Sequence, residues 1–356
     1  MEPVLTRREL TAALAARQLL LERPRLSPAE AIRRLTPLQG QHPPAPYMAL
    51  AARVDGFTRA ELEAAIGRGE VVKTTIMRQT LHLADAGDYP AYAQLTRQAR
   101  MRAWRKAWPG LDESKIEAEL GEWLSEPRRN TEIRDHVARH DGVPDDPYSP
   151  VLLARTLLPL VQLPPAGLYD DSRRATLFVR DPRPLPDPAD AAALVVRRYL
   201  AAFGPAQRRD VAAWCGVAQA DLAAAWERVP TVSYRNEQGR ELLDLPDQPL
   251  PPASTPLPPR LLAHWDQALL AYQDRERIMP PEVAPLKLTL SGAPTVTVDG
   301  RVAASWHLRR AGDAVRVEIE PHVDIPRSAA AGIREEARRT ARICEPDARR
   351  FEVAGI

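Results

Sequence analysis

Apolar residues recur along the chain at helical spacing in short bursts, and each group of bursts ends in an alternating, strand-like stretch. Leu10, Leu14 and Leu21 share one face of a helix expected to begin near Thr6. Ile32, Leu35 and Leu38 carry the stripe of a second helix, opened by Ser27-Pro28-Ala29-Glu30, a capping box with proline in the first turn. A third helix follows Thr58, and VVKTTIMRQTLHLA, Val71 to Ala84, reads as two short strands. Helix, helix, helix, strand pair is the element order of a winged helix.

The order recurs. TEIRDHVARHDG and SPVLLARTLLPLVQL predict helices, and GLYDDSRRATLFV has the shape of a hairpin. Beyond the Pro-rich DPRPLPDPAD, FGPAQRRDVAAWCGV predicts helix, Gly-Pro turn, helix, and TVSYRNEQGRELLDL predicts strands. After PDQPLPPASTPLPPR, PTVTVDGRVAASWHLRR alternates about Asp299-Gly300, AVRVEIEPHV is a further strand, and a helix is expected from Ala329 to about Cys344. The expected fold is α+β, mainly α: three tandem winged-helix units spanning 1–115, 116–182 and 183–247, then a β-rich domain with a terminal helix over 248–356.

Composition narrows the picture. No run of eighteen apolar residues predicts a membrane helix, and the N-terminus lacks an apolar leader, so a cytoplasmic protein is expected. Cys215 and Cys344 match no metal spacing. The net charge is only +2, but 45 of the 49 basic residues are arginine, whose guanidinium forks onto phosphate oxygens. RQARMRAWRKAW, Arg97 to Trp108, holds five basic residues and no acid, a pattern that suits a duplex footprint or a solvated helix face.

The unusual stretch is LQGQHPPAPY, from Leu38 to Tyr47. His42 precedes Pro43 and so leaves the helical region; the helix from Ser27 is expected to end near Gln39. If Gln39 to Gln41 are extended, their amides point to one side. An amide oxygen holds a water without serving as a general base. Such a pair would orient a nucleophilic water towards a substrate whose leaving group is already activated, such as a purine alkylated at N7. The same residues also serve as ordinary helix-end or solvated groups.

LTPLQGQHPPAPYMALAARVDGF with TTIMRQTLHLADAGDY, LLPLVQLPPAGLY, YLAAFGPAQRRDVAAWCGV and HWDQALLAYQDRERIMPP resembles the AlkZ/YcaQ family of winged-helix DNA glycosylases over nearly the whole chain. The resemblance implies three winged helices and a β-rich domain arranged in a C shape around a DNA channel. It also implies monofunctional excision of alkylated purines from double-stranded DNA, often for self-resistance to a DNA-alkylating natural product by removing bulky adducts or unhooking interstrand crosslinks. Gln39 and Gln41 match the two amides of the AlkZ-like branch and are the expected catalytic residues. Gly40 stands where the family has an aliphatic residue, and Gln79 where it has a glycine.

Other positions are candidate DNA contacts. Arg78, Thr80 and His82 alternate and would share a strand face, Arg78 on a phosphate and His82 near the lesion. Lys73 would reach a phosphate from the same hairpin. Arg277, and Arg301 beyond the Asp299-Gly300 turn, are further contacts. His264 and Asp266 lack companion ligands, so no metal and no cofactor are expected. A Schiff-base lyase would need a placed lysine, and none of the four lies near the glutamines. The expected protein is a monomeric glycosylase; the alternative is a non-catalytic winged-helix regulator or damage sensor.

Overall fold

A computed structural model describes residues 2–144, 146–171 and 176–356. It has a mixed α/β fold, with fourteen α-helices and three sheets among the described residues. Among the described residues, no helix is long and apolar enough to cross a membrane.

Local chemistry sets the helix starts. Thr6, Ser27 and Thr58 each accept from a backbone N–H three residues on, while Glu9, Glu30 and Glu61 bond back to the cap. These three capping boxes open helices Arg7–Arg17, Pro28–Leu35 and Arg59–Gly67. The second helix stops at Leu35, four residues short of the expected end near Gln39. The stop comes from Pro37: the residue before a proline is excluded from the helical region, and Thr36 turns to φ 72°. That early stop frees Leu38–Gln39 to become a strand. The prolines that follow open another short helix, Ala45–Ala51, which the sequence reading did not foresee.

The central sheet has six strands in the order 38–39, 81–85, 71–75, 160–162, 177–180 and 128–129. Its middle is the antiparallel pair Lys73↔Gln162 and Thr74↔Val161, so the first and second expected units share one sheet. Part of the GLYDDSRRATLFV stretch lies outside the described residues; Leu177–Arg180 pairs antiparallel with Leu160–Gln162, as a hairpin would. The first strand, Val4–Leu5, runs parallel to Val232–Asn236, tying the N-terminal end to the third expected unit. The boundary expected between residues 115 and 116 falls inside helix Glu113–Trp123.

The β-rich C-terminal sheet runs 260–262, 295–298, 301–311, 314–321 and 350–354. Its inner residues Val296, Ala304, Trp306 and Val317 bury against Ile333 and Ala337 of helix Arg327–Cys344. The same cluster holds Ile32, Leu35, Tyr47 and Leu83, so the C-terminal sheet and the elements carrying the glutamines share one core. A second core joins helix Arg7–Arg17 to Pro188–Phe203 and Trp214. A third, built on Ile116, Leu120, Ile133, Val137 and Leu153, makes a lobe of its own.

Candidate active site

Gln39 lies opposite His82 in the antiparallel pair formed by Leu38–Gln39 and Leu81–Asp85. Directly opposed residues share a sheet face, so amide and imidazole are neighbours. The Gly40 N–H donates to the Leu81 carbonyl at 2.8 Å and carries the pairing one residue further. Gly40 has no left-handed φ, and a Cβ there would lie 3.4 Å from the His82 backbone carbon. The aliphatic residue of the family pattern would therefore begin in ordinary contact.

The two amides lock each other. The Gln41 backbone N–H donates to Gln39 Oε1 at 2.8 Å, and Gln39 Nε2 donates to Gln41 Oε1 at 3.1 Å. A backbone N–H can only donate, so the Gln39 atom facing it must be oxygen. The Gln39 NH₂ then faces the second side chain, which must present its own oxygen. One backbone N–H thus fixes both amide orientations. Gln39 is buried and Gln41 half-buried. Gln41 Oε1 keeps a second lone pair for a further donor.

His82 is fully buried, and its Nδ1 lies 3.0 Å from the Thr80 carbonyl oxygen. A carbonyl only accepts, so Nδ1 carries the proton and Nε2 the lone pair. Nε2 has no hydrogen-bond partner among the described residues. Burial, reinforced by Arg78, pushes the ring's pKa down to about 3, so the imidazole is neutral at any physiological pH. It is a buried acceptor with nothing yet to accept from, beside two oriented amides.

The segment before His82 is a turn rather than a continuous strand. Met77–Gln79 forms a single 3-10 turn, with Arg78 at φ 52° and Gln79 at φ 57°. Arg78 therefore does not share the strand face with His82 that their alternation predicts, whereas Thr80, extended at φ −107° and ψ 160°, leads directly into the His82 strand. Two consecutive left-handed residues without glycine store strain, of order 1–3 kcal/mol each. The family's glycine at position 79 now has a physical reason, because glycine enters that region without a Cβ penalty. Arg100 Nη2 donates to the Ile76 carbonyl and Arg78 Nη1 to that of Trp214, and together they brace the turn.

Most expected phosphate contacts are spent internally. Lys73 is buried, its Nζ 2.6 Å from the equally buried Asp171 carboxylate, and is unavailable to a phosphate. Arg78 is committed to Trp214, and burial lowers its pKa. The Thr80 hydroxyl donates to Met77 O at 3.1 Å. Arg277 is buried, its guanidinium 3.9 Å from the Tyr272 ring centroid and donating to Pro205 O. The Asp299-Gly300 hairpin is docked rather than free: Arg8 bonds the Asp299 carboxylate at 2.7 Å and its carbonyl at 2.9 Å. Arg301 is half-buried, with Nε and Nη2 unpartnered among the described residues. The basic run also meets acids from other elements: Arg97 pairs with Glu117, Arg102 with Asp221 and Arg105 with Glu113.

Asp266 is a structural residue, not a ligand: it caps helix Gln267–Leu270 and holds Arg53 through two bonds of 2.7 and 2.9 Å. His264 meets the residue that follows the glutamine pair. Its ring packs against His42 at a 39° tilt, centroids 4.2 Å apart, and its Nδ1 contacts Gly292 O at 2.9 Å. The HWDQ segment thus fixes the residue after Gln41, a support that no sequence spacing announced.

The model of the family described as DNA glycosylase AlkZ-like matches residues 32–343. The chain belongs to the AlkZ-like DNA glycosylase family. The match begins at Ile32, so it takes in the glutamine strand, the His82 hairpin and most of the C-terminal sheet. Among solved structures, the Streptomyces sahachiroi DNA glycosylase AlkZ shares the fold with a TM-score of 0.81 at 21% identity, over 99% of this chain and 100% of that one. No curated protein matches the chain.

Proposed function

We propose that this family member is a monofunctional glycosylase that hydrolyses the N-glycosidic bond of alkylated purines in double-stranded DNA, with N7-alkylguanine as the model substrate. The observation that carries the reading is the interlocked Gln39–Gln41 pair beside the unpartnered Nε2 of His82. Alkylation at N7 makes the base cationic. When the C1′–N9 bond breaks, its electron pair neutralises the base, so no acid is needed to protonate the leaving group. Water oxygen bonds to C1′, and its surplus proton passes to solvent. What the protein must supply is placement of the water and dipoles for the positive sugar. The fixed Gln41 oxygen accepts from that water, Gln39 holds Gln41 in register, and the neutral His82 lone pair faces the developing positive charge.

The three helix-helix-hairpin groups act in this reading as winged helices lining a DNA channel. The enzyme works as a monomer without a cofactor, in base excision repair or in resistance to a bulky natural-product adduct or crosslink. Arg301 Nε and Nη2 and Arg277 Nη1 are buried without partners among the described residues, so in this reading these side chains must turn outward to meet a phosphate.

The test is a single-turnover assay on duplexes carrying N7-methylguanine, a bulky N7-guanine adduct or unmodified guanine, with abasic sites revealed by alkaline cleavage. Excision of either alkylated base with the unmodified base left intact is expected. Binding without excision of either would make the chain a damage sensor.

A further inference from the structure

We propose that Glu119, His136 and His140 form a binding site for one divalent transition-metal ion, with Zn²⁺ the best fit. The site lies in the lobe built on the Ile116–Leu120–Ile133–Val137 core and shares no residue with the glutamine site. The sequence reading expected no metal because it weighed only Cys215, Cys344, His264 and Asp266.

One donor atom from each residue lies within 4.8 Å of the other two. His140 Nε2 is 3.5 Å from Glu119 Oε2, close to the spacing of about 3.3 Å that two donors adopt on a tetrahedral zinc with bonds near 2.0–2.1 Å. The convergence has a cause in the sequence. In HVARH, His136 stands in the last turn of helix Asn130–Val137 and His140 in the turn just beyond it, where its N–H donates to the Val137 carbonyl at 3.1 Å and the chain folds back beside His136. Glu119 and Trp123 stand four residues apart on helix Glu113–Trp123 and face them.

Trp123 stacks on His136 at 4.3 Å and 14°, and the Arg128 guanidinium lies 4.9 Å from the Trp123 ring. That stack holds one ligand ring in place before any ion arrives. Two imidazoles and a carboxylate suit zinc, nickel or copper better than calcium or magnesium, which prefer all-oxygen sites. Three protein donors leave a fourth position for water. The ion would join the two helices at their solvent edge, adding a clamp where the core beneath is small.

The experiment uses the full chain, treated with chelator and dialysed, then titrated with Zn²⁺ by calorimetry and followed by thermal unfolding. Co²⁺ absorption reports the coordination geometry. One equivalent bound at micromolar Zn²⁺, with a raised Tm, is expected. His136→Gln and His140→Gln should each weaken binding by more than about tenfold and abolish the Tm rise. Glu119→Gln, at an exposed position, covers the case in which a histidine variant fails to fold. No binding at millimolar Zn²⁺, or binding that survives all three substitutions, would overturn the proposal.

Discussion

Two polar clusters sit close together in the sequence and are both largely buried, yet they are built on opposite terms. Around Arg53, the guanidinium bonds Asp266 through two nitrogens and also reaches the carbonyls of Gln18 and Ala49. Around Gln39, every partner is neutral, and capacity is left over: a lone pair on Gln41 Oε1 and the whole of His82 Nε2. Burying a polar atom without a partner costs about 1–3 kcal/mol, so an unpartnered atom beside two oriented amides is a place to look for a ligand contact. The contrast teaches how to sort buried polar groups. A charge-paired cluster is structure, and an oriented but unsaturated one is where a ligand contact is worth testing.

Substitutions break or sharpen that contrast. The largest effect is expected at the saturated cluster. Asp266→Ala strands a buried guanidinium and should cost about 3–5 kcal/mol in urea unfolding. A loss below about 1 kcal/mol would mean that Arg53 finds another partner. Lys73→Met removes the buried ammonium from Asp171, and a destabilisation of about 3 kcal/mol is expected. The salt dependence of DNA binding should stay unchanged; a slope reduced by about one would return Lys73 to the phosphates.

His82 should show itself in acid. Its folded pKa of about 3 lies below the ordinary 6.5, so the unfolded chain takes up a proton that the folded ring refuses. Stability contributed by this group is full above about pH 6.5 and is lost as the pH falls towards 3, by about 1.4 kcal/mol per pH unit. Denaturation across that window should show one proton less of slope in His82→Phe than in the natural chain. Equal slopes would place a proton on His82 in the fold. The smallest effect is at the strained turn: Gln79→Gly should be more stable than Gln79→Ala by about 1 kcal/mol, because only glycine enters φ 57° freely.

What was legible in the sequence follows from the range of the physics. Capping boxes, the Asp299-Gly300 turn and the alternation of VVKTT and LHLAD are local, and the helices and strands form where those signals stand. Gln39 and Gln41 were recognisable as an amide pair two residues apart. Their mutual lock was not, because it depends on a single backbone N–H and on Thr36 ending the helix early. The charged candidates misled for a different reason. Sequence shows Lys73, Arg78 and Arg277 without the Asp171, Trp214 and Pro205 atoms that occupy them, and these partners are 98, 136 and 72 residues away. The strand Arg350–Ala354, parallel to Ala314–Pro321, also escaped, since its pairing is equally non-local.

The central claim is that the interlocked amides place the attacking water. It is tested most directly by single-turnover excision of N7-methylguanine from a duplex by Gln39→Ala/Gln41→Ala, measured beside its DNA affinity and Tm. Loss of one well-placed polar group typically lowers a rate by about 10²–10³-fold, and the double variant should lose at least that much with affinity and Tm near those of the natural chain. Excision within a few-fold of the natural rate would contradict the account and leave Gln39 and Gln41 as a structural strand end.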